Sequence, residues 1–299
     1  MKKAFIQLHI AVFLAGFTGI LGRLISLNEG WLVWYRLLIS AGTMWILFWV
    51  TGKLQRIARG DVFRLAGVGF LAALHWVAFY GSIKYANVSV ALVCFSSVGF
   101  FTALWEPLLL KTRVNWTEVL LGLLVIAGIY LIFHFDPKYK IGIVLGVICA
   151  VLLAVVMIII RQFVQRINPE TILTYQLSGG FLALSLLMPF YTAQWPSDNV
   201  IPTFPDLGWL LFLSWICSVW AFQLTTNALR KLSAFTVNLS FNLEPLYGIL
   251  LAFLVFRENE FLSPWFYWGF ALIAASLLIH VLLLREREKR KANAANRVP

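Results

Sequence analysis

Glu244 and Pro245 carry the strongest chemical signal in the sequence. They lie mid-way along the apolar run 234–256, which is long enough to cross a bilayer. A carboxylate at that depth in hydrocarbon is costly, and a proline removes a donor from the helical ladder. Both are tolerated where the helix faces protein or a wet cavity. A carboxyl there can exchange a proton or hold a substrate amine. Against that stands an acid merely hydrogen-bonded to a neighbouring helix. Pro245 is expected to kink its helix by leaving the Phe241 carbonyl without a donor.

Other polar and aromatic residues recur at helical spacing. Asn238 and Asn242 share a face with Pro245, and Trp220, Gln223 and Asn227 form a stripe on the preceding run. Two such stripes on adjacent helices suggest a lined cavity, or hydrogen bonding between helices. His75, Trp76, Phe79 and Tyr80 could enclose an apolar or aromatic side chain, with cation–π contact to an amine. An interfacial aromatic belt is the competing account. Arg36, about six residues inside the second run, either binds a carboxylate, locks a gate or snorkels to the surface. Arg23 is expected to snorkel, and Glu106 to pair locally near Lys111.

Several chemistries lack their residues. His9, His75, His134 and His280 are scattered without HxxxH or HExxH spacing, so no metal site is expected and a membrane-embedded transferase is disfavoured. No Gly-rich phosphate loop points to an ATPase, no filter signature points to a channel, and no cofactor is expected. Cys94, Cys149 and Cys217 all lie inside apolar runs and read as small core hydrophobes.

The elements that must position these residues are membrane helices. The chain has 299 residues, 61% hydrophobic and 12% charged, with mean hydropathy +0.84. A soluble domain cannot hide that much apolar surface. The runs are continuously apolar and do not alternate, which predicts helices and not a barrel. Ten spans are expected, at roughly 4–27, 31–51, 63–83, 87–110, 117–134, 141–160, 171–191, 207–228, 234–256 and 264–284. The first, although it follows Lys2 and Lys3, is read as a retained helix.

The net charge of +11 sits between the runs and at the C-terminus, which suits anionic lipid and topology control and not nucleic acid. With the N-terminus inside, eighteen Lys and Arg fall on the inner side and four on the outer, Arg23 and Arg36 lying within spans. That asymmetry places both termini in the cytoplasm of a multi-pass protein of the plasma (inner) membrane.

The chain also repeats itself. At a shift of 147 positions Lys84 meets Lys231, Leu104 meets Leu251, and Ile126-Ala127 meets Ile273-Ala274. Upstream the shift is about 140, where Asn28 meets Asn168 and Tyr35 meets Tyr175. Gln176 then takes the place of Arg36, a neutral amide for a charge. The expected units are 4–134, 141–284 and a basic tail, 285–299. Five spans per unit put the second upside down, the arrangement of secondary transporters that hold solute near mid-membrane.

Local motifs carry a family resemblance across nearly the whole chain. Trp34-Tyr35-Arg36, Ala78-Phe79-Tyr80-Gly81-Ser82-Ile83-Lys84-Tyr85-Ala86, Leu243-Glu244-Pro245-Leu246, and Glu260 followed by Gly269 together resemble the EamA family of the drug/metabolite transporter superfamily. Val98 stands where the repeat proline would be and Arg113 where the glutamate would be, so the two halves depart from strict equivalence. The resemblance implies an all-α membrane protein of ten transmembrane helices in two inverted five-helix repeats. It implies an exporter or exchanger of small metabolites, commonly amino acids. The cavity would lie chiefly between the first, third, fourth, sixth, eighth and ninth helices, and would alternate in access. The implied partners are a small-molecule substrate and the bilayer, with proton coupling through Glu244 and a monomer or homodimer.

Overall fold

The computed structural model describes residues 2–135, 137–197, 199–229, 231–232, 237, 240–241 and 243–295. Hydrocarbon offers backbone groups no hydrogen-bond partners, so long apolar runs satisfy themselves as helices. In order these are α1 (Lys2–Leu24), α2 (Glu29–Thr51), α3 (Arg59–Tyr85), α4 (Val88–Phe95), α5 (Val98–Leu110), α6 (Trp116–Phe135) and α7 (Lys140–Phe163). Next come α8 (Pro169–Gln194), α9 (Phe204–Leu211), a π-helical segment (Phe212–Trp220), α10 (Ala221–Leu229), α11 (Glu244–Phe256) and α12 (Pro264–Ala295).

Among the described residues, eight helices are long and apolar enough to cross a membrane. The fifth and ninth expected spans correspond to shorter apolar helices, Trp116–Ile132 and Glu244–Phe256. Helix starts follow from their caps. The Asn28 side chain accepts from Trp31 N and the Asn168 side chain from Thr171 N, at 2.9 and 2.8 Å. These caps are the two asparagines that the 140-residue shift superposes.

Two spans are interrupted. The fourth breaks between Phe95 and Val98, where the Ser96 and Ser97 hydroxyls donate to the Leu92 and Cys94 carbonyls at 3.1 and 2.6 Å. Paired serines that turn back on the helix ladder are a recognised cause of such breaks. On the ninth, α11 begins at Glu244, so Pro245 occupies the first turn and does not kink a continuous helix. Proline fits there because the first-turn N–H groups lack intrahelical partners anyway. Asn238 and Asn242 lie outside the described residues. The shift of 147 superposes Ser96 on Leu243 and Ser97 on Glu244, so both helices are interrupted at matching places. Both resume and end alike, at Lys111 and Arg257 with left-handed φ of 54° and 53°.

Equivalent helices of the two halves meet in antiparallel pairs. Along α2 and α8, Gly30 packs on Tyr191, while Trp34 and Trp45 donate through Nε1 to the hydroxyls of Ser185 and Ser178, each at 2.8 Å. Along α6 and α12, Gly128 faces Gly269, and Ser276 Oγ donates to Leu121 O at 2.6 Å. Between the fourth and ninth spans, equivalent by the shift of 147, Leu92 of α4 meets Gly248 of α11. Residue numbers rise along one helix as they fall along its partner, so the equivalents point opposite ways. Contacts between the halves also come in matched sets: α3 packs on α7 and α8, as α10 packs on α1 and the π segment on α2. Small residues let these backbones approach closely.

Candidate functional site

Arg36 is the centre of the site. It sits on α2 with only 6% of its surface exposed, so its side chain does not snorkel. Nη1 donates to Tyr80 Oη at 2.8 Å, and Nη2 and Nε donate to Ser218 Oγ at 3.1 and 3.3 Å. The guanidinium carbon lies 4.3 Å from the Trp76 ring centroid. These partners are all neutral oxygens or aromatic faces. Among the described residues no carboxylate forms an ion pair with Arg36. One turn along the same helix, the fully buried Ser40 Oγ has no hydrogen-bond partner among the described residues.

The π segment supplies Ser218. Its wider turn lets Ser218 Oγ donate to Leu213 O, five residues back, at 3.0 Å while facing the guanidinium. Single π turns recur at functional sites for this kind of re-aiming.

Below Arg36 the aromatic row of α3 faces the break in the fourth helix. Phe79 and His75 stand 5.8 and 6.1 Å, centroid to centroid, from Phe95, the last residue of α4. His75 is buried, with Nδ1 3.0 Å from the Cys149 carbonyl and 3.1 Å from Cys149 Sγ on α7. Tyr80 is completely buried, so it belongs to this cluster and not to an interfacial belt. Glu244 heads α11 within electrostatic reach of Arg36 and of Cys149. Its carbonyl is packed against Gly16 of α1. Arg36, His75, Trp76, Phe79 and Tyr80 are therefore gathered in one cluster between α2 and α3.

The remaining expected residues are placed elsewhere. Gln176 is buried where α8 crosses α3 at Gly69. The α2–α8 pairing aligns Trp45 with Ser178 and Trp34 with Ser185, so Gln176 lies well along the helix from Arg36. Trp220 and Gln223 line a groove of about 290 Å³ with Thr43, Leu47, Trp215 and Val219. Gln223 and Asn227 hydrogen-bond each other at 3.3 Å, so these two members of the stripe share a face. Phe95, Cys149 and Ser218 were not anticipated. Ser214 and Ser218, four apart in an apolar run, were the available signal for the last.

Polar straps close the two ends of the bundle. At one end Arg166 binds Asp61 through both terminal nitrogens, with Nη2 to Oδ1 at 2.8 Å. Gln55 there accepts from Asn168 N at 2.7 Å and donates from its own N to Thr171 Oγ1 at 3.0 Å. Glu106 pairs across helices with Arg161 at 2.9 Å, not with Lys111, because α5 and α7 bring these side chains together. At the other end Asp206 accepts from Ser26 N at 2.7 Å and Ser26 Oγ at 2.6 Å. Arg23 does not simply snorkel; it pairs at 2.6 Å with the buried Glu258. Glu258 also accepts from Val88 N, Ser89 N and Ser89 Oγ at the start of α4. Among the described residues no three His, Cys, Asp or Glu side chains gather to hold a metal ion.

Comparison with known proteins follows the same two halves. The profile of the EamA-like transporter family matches residues 2–134 and again 140–282. A protein of Archaeoglobus fulgidus described as an uncharacterized transporter is 26% identical over 240 residues, covering 76% of this chain and 80% of its own. One crystal structure, described only as that of a protein, shares the fold with a TM-score of 0.63 at 18% identity, covering 96% of this chain and 99% of its own.

Proposed function

Because this chain belongs to the EamA-like transporter family, within the drug/metabolite transporter superfamily, we propose that it is an alternating-access carrier that exports or exchanges small organic solutes such as amino acids. Membership and the eight long apolar helices make it a multi-pass integral membrane transporter. In this reading Trp116–Ile132 and Glu244–Phe256 complete a set of ten spans, arranged as two inverted repeats at 4–134 and 141–284. The basic residues, including the 285–299 tail, face the cytoplasm.

The observation that carries the reading is Arg36. A cation held inside a membrane protein is costly unless something answers its charge. Here its donors rest on two hydroxyls, Tyr80 and Ser218, which a carboxylate can displace for stronger, charge-assisted bonds. The solute carboxylate binds Arg36, and the aromatic row from Trp76 to His75 receives its remaining body. Glu244, across the site, takes the amine or exchanges a proton. Movement follows from rocking the inverted halves about this level, so that the site opens to one end at a time. Solute or proton must bind the two states with different affinity for this to do work.

The test is counterflow in proteoliposomes with a pooled set of labelled amino acids and related metabolites. Wild type should accumulate a carboxylate-bearing solute. Arg36→Gln should lose that uptake, and Glu244→Gln should still exchange but ignore an imposed pH gradient. Covalently altered solute would instead mark an enzyme, and non-saturable flux a channel. Unchanged KM in Arg36→Gln would remove Arg36 from the binding site.

A further inference from the structure

A second site lies away from the Arg36 cluster. A cavity of about 630 Å³ opens between the first half of α3 and the last turns of α7. We propose that it binds one anionic phospholipid, with the phosphodiester at Arg64 and Arg166 and an acyl chain running inward along Phe70 and Leu71.

The polarity of the lining is ordered along the helices. The α3 and α7 helices are antiparallel, as the contacts Asp61–Arg166 and His75–Cys149 fix. Arg64 therefore stands level with Gln162, about one turn in from Arg166 at the end of the bundle, with Gly67 level with Ile159 and Leu71 about one turn further in. Arg64, Gln162 and Arg166 occupy the outer end of the cavity, and apolar side chains its inner end. That gradient, from guanidinium at the membrane boundary to hydrocarbon toward the midplane, matches a lipid and not a free anion.

Charge agrees with this. Asp61 is shared by Arg166, bound through both terminal nitrogens, and by Arg64, 3.9 Å away with 72% of its side chain exposed. One carboxylate against two guanidiniums leaves a single positive charge, the complement of a monoanionic phosphodiester. Basic pockets between membrane helices bind such headgroups. Room for the chain is also present: nothing lies within 4 Å of a β-carbon built on Gly67, which lines the same cavity.

The experiment is native mass spectrometry of the delipidated full chain, titrated with phosphatidylglycerol and separately with phosphatidylcholine. Wild type should retain one phosphatidylglycerol in preference to phosphatidylcholine. Arg64→Gln should weaken phosphatidylglycerol by roughly fivefold, the loss expected for one surface cation. Gly67→Leu, whose β-carbon meets nothing within 4 Å and whose isobutyl group projects into the cavity, should displace the lipid while the protein keeps its melting temperature. The proposal fails if both variants hold phosphatidylglycerol as wild type does. It fails equally if inorganic phosphate displaces the lipid, which would mark a free-anion site. Loss of counterflow by Gly67→Leu in vesicles of phosphatidylcholine alone would also overturn it, by placing the cavity on the solute's route. Lipid retention is read without transport, so this outcome does not depend on the carrier assignment.

Discussion

At the scale of single residues, the arrangement around Arg36 depends on the shape of a guanidinium as much as on its charge. Its donors diverge to Tyr80 and to Ser218, on two different elements, while its face lies on Trp76. A lysine keeps the charge but is a point donor without the planar fork or the stacking surface. Arg36→Lys should therefore fail to rescue solute affinity. Tyr80→Phe should be milder, since it removes one hydrogen bond to a charged group, worth about 1.5–3 kcal/mol. The expected order of rising KM in counterflow is wild type, Tyr80→Phe, Arg36→Lys. A lysine variant with wild-type KM would reduce Arg36 to a generic positive charge.

At the scale of helices, the strongest constraint is backbone against backbone. A β-carbon on Gly69 of α3 would run into the Gln176 carbonyl and lie 2.7 Å from Gly180 N on α8. Neither atom can step aside without moving a helix, so Gly69→Ala should cost about 1–3 kcal/mol, the usual range for overpacking. Gly42 of α2 has nothing within 4 Å, so Gly42→Ala is the control and should be neutral or stabilising. Melting temperatures in detergent separate the two, and equal values would mean that the α3–α8 crossing is looser than described. Such crossings show which parts of the fold were legible. The long helices were, because the bilayer demands long apolar runs, and Asn28 and Asn168 mark the starts of α2 and α8. The aromatic row on α3 was also legible, since a continuous helix keeps His75, Phe79 and Tyr80 in register. The stripe Trp220, Gln223 and Asn227 was legible as a stripe, and two of its members line the groove beside α2. It follows the π segment Phe212–Trp220, whose wider turns rotate everything downstream relative to a straight α-helix. The break at Ser96–Ser97 was not legible because no proline marks it: Val98 stands at the repeat-equivalent proline position.

At the scale of the whole molecule, the two halves close opposite ends with related but unequal parts. Asp61, in the first turn of α3, holds Arg166 of the α7–α8 connection. Asp206, in the first turn of α9, holds Ser26 of the α1–α2 connection in the same relative place. One strap is an ion pair and the other a pair of hydrogen bonds reinforced nearby by Arg23–Glu258. A carrier that opens one end at a time must release one strap while keeping the other. Neutralising each aspartate should then bias the equilibrium in opposite directions. Each hydrogen bond to a charged group is worth about 1.5–3 kcal/mol, enough to shift a two-state balance by roughly tenfold or more. Cys149 is a built-in reporter, fully buried against His75 at the level of the site. With Cys94 and Cys217 replaced by alanine, an impermeant thiol reagent should reach Cys149 only through an open end. Asp61→Asn should speed labelling from the side that carries Arg166, cytoplasmic in the proposed orientation, and Asp206→Asn from the opposite side. Labelling that rises from the same side in both variants would show that the aspartates hold helix ends and not gates, and that the matched straps play no part in alternating access.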